Sequence, residues 1–137
     1  MRLGHVGDGK FEQICREFAI ATPTDTFGGL PAEVGAGVIT DPASRTRMEV
    51  NVVVLAPADP GEPRRVLSLG EAKWGEIMGI RQVERLRRAR DLLAARGFNT
   101  RDTVIACYSD AGFDPELHDT TDRLLTVGLE DLYADGD

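Results

Sequence analysis

Cysteine is scarce in this chain: Cys15 and Cys107 are the only two in 137 residues. Each stands in an apolar setting, one in a helical pattern and one in a strand-like pattern. That argues against a disulfide framework and reads as two buried free thiols in a cytoplasmic protein. Histidine is equally sparse. His5 and His118 have no ligand-like spacing to each other or to the cysteines, which argues against structural zinc. No apolar run approaches the length that spans a bilayer, so no membrane contact is expected. The segment from Met1 to Asp8 lacks the apolar stretch of a secretory signal. Positive charge is also short overall. A formal net charge of -7 argues against a protein that coats nucleic acid without specificity.

What is present is a globular composition, with 42% hydrophobic and 28% charged residues, at the size of one domain spanning residues 1–137. The charge is segregated. Seven arginines (81, 85, 87, 88, 90, 96 and 101) face only Glu84 and Asp91 between Arg81 and Arg101, a local +5. From 110 to 137 nine acids face only Arg123, a local -8. A basic helix followed by an acidic segment is the informative pattern.

Apolar spacing predicts an amphipathic helix over Lys10–Ala21 through Phe11, Ile14, Cys15 and Phe18, stopped before Pro23. Strands are expected at Val34–Thr40, Met48–Leu55, Val66–Trp74, Thr103–Tyr108 and Leu124–Val127. A long helix is expected over Ile77–Arg96, with Val83, Leu86, Leu93 and Ala94 facing inward and Gly97 suited to a left-handed cap. A last helical turn is read at Leu129–Tyr133. The expected fold is α/β in an α+β arrangement: one central mixed sheet of four to five strands flanked by helices.

Strand periodicity of two places Glu49, Asn51, Val53 and Leu55 on one face, and Leu67, Leu69, Glu71 and Lys73 on one face of the next strand. A hairpin brings these polar ends together. Two acids and a lysine so placed suit metal-assisted phosphodiester hydrolysis. Carboxylates hold a hard cation, the cation acidifies water, and the lysine orients that water or stabilises charge. Glu-Ala-Lys alone also occurs by chance on solvated strand ends. The apolar residues before it and Trp74 after it favour a buried strand, where charges need partners.

In matching order, Phe11-Glu12-Gln13-Ile14-Cys15-Arg16, Glu49-Val50-Asn51, Gly70-Glu71-Ala72-Lys73-Trp74 and then Gln82 on a long helix resemble the PD-(D/E)XK nuclease-like superfamily. More narrowly, they look like the nuclease-like domain at the C-terminus of archaeal and bacterial DEXX-box, AAA-type ATPases. The resemblance covers residues 9–104 and implies a restriction-endonuclease-like fold. It also implies Mg²⁺ or Mn²⁺ as cofactor, nucleic acid as partner and an ATPase domain in the same chain. It assigns Glu71 and Lys73 to the catalytic acid–lysine pair, Glu12 to a supporting helix acid and Gln82 to a polar residue near the phosphate. Glu71, Glu49 and the residue at 51 become the metal-side group. Here the chain departs from the pattern: Asn51 stands where the family carries an aspartate. The missing negative charge weakens a hard-cation site. The expectation is a nuclease-like domain with a degenerate metal site. The alternatives are a non-catalytic DNA-binding or protein-interaction module, or a Mg²⁺-dependent endonuclease that tolerates Asn51.

Arg81, Arg85 and Arg88 are spaced to form one stripe that could contact the DNA backbone, or else a solvated face. Gly4 to Lys10 fits part of a phosphate loop. Phe11 replaces the hydroxyl residue, however, and no strand precedes it, so nucleotide binding is rejected. Trp74 is expected in or near the core.

Overall fold

The computed structural model describes residues 1, 3–4, 9–120 and 123–133. Residues 5–8 of the rejected phosphate-loop match, His5 among them, lie outside the described residues.

The elements run β1 (Leu3–Gly4), α1 (Lys10–Ile20), β2 (Glu33–Asp41), β3 (Thr46–Leu55), β4 (Val66–Lys73), α2 (Ile80–Ala95) and β5 (Val104–Ser109). A 3₁₀ turn (Pro115–Asp119), β6 (Leu124–Val127) and α3 (Leu129–Leu132) complete them. The strands form one sheet in sequential order, antiparallel from β1 to β4 and parallel from β4 to β6. The mixed sheet is as expected, but it has six strands rather than four to five. The addition is β1, whose two residues are too short for any periodicity to show.

Each sheet face carries one core: α2 covers one face, α1 and the short α3 the other. Beneath α2 lie Val53, Leu55, Leu69 and Ile105 with Val83, Leu86, Ala89 and Leu93. Beneath α1 lie Val52, Val54, Leu67 and Tyr108 with Phe11, Cys15 and Ala19. β5 is buried along its whole length, because β4 and β6 flank it and both cores cover it. Both cysteines are buried free thiols, and burial pushes each up to about 12.

Two departures in α2 have local causes. The helix begins at Ile80, not Ile77, because Met78 bridges to Phe113 and Gly79 is extended. The Gln82 side chain then closes the first turn, its Oε1 accepting from Gly79 N–H at 2.8 Å. Ala89, not Ala94, completes the inner stripe; Ala94 is exposed. Gly97 adopts φ 92°, the left-handed conformation expected of it.

The strict alternation expected of β3 and β4 breaks twice. Gly37 pairs with Val50 but Gly35 with Val53, so Asn51 and Val52 together face one β2 residue. This bulge puts Val50 on the α2 side along with Val53. In β4, Val54 pairs with Ser68 and Leu55 with Val66, so Leu67 is skipped and packs under α1 instead of beside Leu69.

Trp74 is 64% exposed, contrary to the expected core position. β4 ends at Lys73, paired with Ser109, and Gly75 at φ 79° turns the chain away. Among the described residues no strand therefore covers the indole.

Candidate functional site

The β3–β4 ladder stops at Val52 and Gly70. Past that pair the bulge at Asn51 bends β3 away from β4, and a cleft of about 430 Å³ opens on the α2 side. Glu49 and Asn51 from β3, Glu71 and Lys73 from β4, Glu76 from the following loop, and Arg81, Gln82 and Arg85 from α2 line it. Three acids and three bases thus share one polar cleft. Two hydrogen bonds steady the loop: Ser109 Oγ donates to the Glu76 carbonyl at 2.6 Å, and Gly75 N–H donates to Asp110 Oδ1 at 2.6 Å.

Asn51 repairs the break in the ladder. Its Oδ1 accepts from Ala72 N–H at 3.0 Å, taking the place of a backbone carbonyl. Its own carbonyl accepts from Arg16 Nη1 at 3.0 Å, across the sheet from α1. Arg16 is buried, and among the described residues no carboxylate pairs with it. Sequence reasoning passed over Arg16, although a charge beside the buried stripe of α1 was a visible signal.

Glu71 is 5% exposed, and Arg85 Nη1 donates to its Oε1 at 2.6 Å. The buried carboxylate that needs a counter-charge therefore has one from the protein itself. Lys73, Arg81 and Glu49 make no side-chain hydrogen bond or ion pair among the described residues.

Of the residues read as site residues, Glu49, Asn51, Glu71, Lys73, Gln82, Arg81 and Arg85 converge in the cleft. Two do not. Glu12 lies on the other face of the sheet, in the first turn of α1, with its carboxylate folded back over Gly9. A negative charge there suits the amide end of a helix. Arg88 pairs instead with Asp41 at the β2–β3 turn. That guanidinium holds the Asp41 carboxyl below its ordinary range, chiefly by hydrogen bonding. Arg96 likewise reaches Thr40, 2.6 Å from its Oγ1. The arginine stripe is therefore divided: Arg81 and Arg85 face the cleft, whereas Arg88, with Arg96 further along the chain, braces the β2–β3 hairpin.

The donor set suits a divalent cation poorly. Glu71 is already paired, Asn51 Oδ1 already accepts a hydrogen bond, and Glu49 is exposed. Among the described residues no group of three or more His, Cys, Asp or Glu is placed to hold a metal ion. No helix of the described residues is long and apolar enough to cross a membrane.

The chain matches no family model, no curated protein and no solved structure.

Proposed function

We propose that this chain is a PD-(D/E)XK nuclease-like domain, of the kind joined to a DEXX-box ATPase, whose cleft contacts nucleic-acid phosphate and whose metal site is degenerate. The observation that carries the reading is the cleft itself. Asn51, Glu71, Lys73 and Gln82, far apart in the chain, meet where β3 and β4 separate. The order of helix, three strands, helix and strand, with α1 and α2 on opposite sheet faces, supports the same reading.

Within the cleft the roles divide by chemistry. Lys73 and Arg81 are the cleft cations without a side-chain partner among the described residues, and they contact phosphate oxygens. Arg85 neutralises Glu71, the task a divalent ion would otherwise perform. Asn51 holds the two strands in register at the break. Glu49 and Glu76 are exposed and repel phosphate, so the affinity is modest and sensitive to salt. Two phosphate contacts give a log–log salt slope of about -1.4 on single strands and about -1.8 on duplex.

Titration calorimetry with Mn²⁺ and plasmid nicking test this together. The wild type is expected to release little heat and to leave plasmid intact. Asn51→Asp keeps the acceptor for Ala72 N–H and adds the missing charge, so it should bind Mn²⁺ more tightly. Robust nicking by the wild type that disappears in Lys73→Ala would overturn the degenerate-site reading and establish an active nuclease.

A further inference from the structure

The end of β4 presents two unlike side chains to two faces. Lys73 lines the cleft under α2, whereas Trp74 turns to the α1 side. There its indole meets Phe11 edge-on, with ring centroids 5.3 Å apart and planes at 64°. Phe11 is buried, so it steadies one edge of the indole and leaves most of the ring to solvent. Tyr133, 63% exposed, stands in the same groove. Trp74, Phe11, Ile14, Tyr133 and Lys10 are the main walls of this groove, whose volume is about 400 Å³. Glu12 also borders it, but its carboxylate is folded onto the N-terminus of α1 beside Gly9.

Two exposed aromatic rings lining one groove offer a surface that a flat ring can cover. The groove and the cleft share the end of β4 through Trp74 and Lys73, and each contributes a cation: Lys10 in the groove, Lys73 in the cleft. Aromatic faces beside cations suit the two halves of a nucleotide, a flat base and an anionic phosphate. A duplex keeps its base faces stacked inside, so only an unpaired strand can offer one.

Resting on the phosphate-contact reading above, we infer that the Trp74 groove stacks an unpaired base, so that the domain's preferred nucleic acid is single-stranded. The strand crosses the end of β4 with a phosphate at Lys73 and the neighbouring base against Trp74. A second phosphate reaches Lys10.

Trp74 is the chain's single tryptophan, so its fluorescence reports on this groove alone. The 137-residue chain is titrated at low salt with a short oligothymidylate and with a duplex of equal length, each also labelled to follow binding by anisotropy. The single strand should quench Trp74 emission and the duplex should not. Trp74→Ala should weaken single-strand binding roughly 5- to 150-fold, the range expected for one stacked base, and leave duplex binding unchanged. Tyr133→Ala, at an exposed position, provides the same comparison should Trp74→Ala fold poorly. Binding of both nucleic acids with equal strength and no quenching would overturn the stacking inference and leave the phosphate cleft standing. Binding of neither would overturn both.

Discussion

Replacing Arg85 by methionine keeps most of the side chain's volume and removes the guanidinium that faces Glu71 at 2.6 Å. Glu71 is 5% exposed, so its carboxylate would then be a buried charge without a partner. Breaking a buried pair in this way costs about 3–5 kcal/mol. The Arg85 side chain is 40% exposed, however, and solvent screens its half of the pair. A loss of about 1–3 kcal/mol is therefore expected. In a domain of this size each kcal/mol corresponds to roughly 3–6 °C in the melting temperature. The variant also uncovers the Glu71 oxygens, beside Asn51 and Glu49 in the same cleft. Mn²⁺ at ten times its Kd should restore about 1.4 kcal/mol to the variant and little to the wild type. Melts followed by far-ultraviolet circular dichroism, with and without Mn²⁺, measure both quantities. A variant as stable as the wild type would refute the view that Arg85 is the working counter-charge. Equal stabilisation of both proteins by Mn²⁺ would refute the competition between Arg85 and metal.

Three further outcomes follow from packing and titration. Gly70→Ala should destabilise by about 1–3 kcal/mol, since a Cβ there would lie 2.7 Å from the Tyr108 ring; unchanged urea denaturation would show that the ring can yield. Cys15 and Cys107 should resist thiol reagents in the folded state and react together on unfolding. Their folded values near 12 lie above the ordinary 9.0, so they contribute stability below pH 9 that is lost as pH rises toward 12. Rapid labelling of the native protein would contradict this. Asp41 has the opposite sign: its folded value is lowered, so its pairing with Arg88 stabilises above the ordinary 3.8 and fades as pH falls further. Asp41→Asn should therefore lower the melting temperature at neutral pH and converge with the wild type in acid. A constant difference across that range would place the effect elsewhere.

Much of the architecture was legible because it is local. The helix stripes of α1 and α2, the apolar runs of β3, β4 and β5, and Gly97 after α2 all follow from short-range patterning. The parallel step from β4 through α2 to β5 and the sequential sheet order agree with one mixed sheet. The site was legible in part, since Glu71 and Lys73 lie two apart on a strand and so share a face. What alternation could not reveal is where it fails. The bulge at Asn51 moves Val50 to the α2 side, and the skipped Leu67 changes faces, because register depends on the partner strand.

The sequence by itself determined which segments become helix and strand, and which polar groups stand at the ends of β3 and β4. Backbone preference and hydrophobic period act over a few residues and need no partner. Only the tertiary structure decided what those groups do. It set Arg85 against Glu71, turned Asn51 into a strand's hydrogen-bond acceptor, sent Glu12 and Arg88 elsewhere and left Trp74 in solvent. Each of these depends on which distant segment arrives alongside. The scarcity of cysteine belongs to the first kind of fact, the burial of both thiols beneath opposite faces of the sheet to the second.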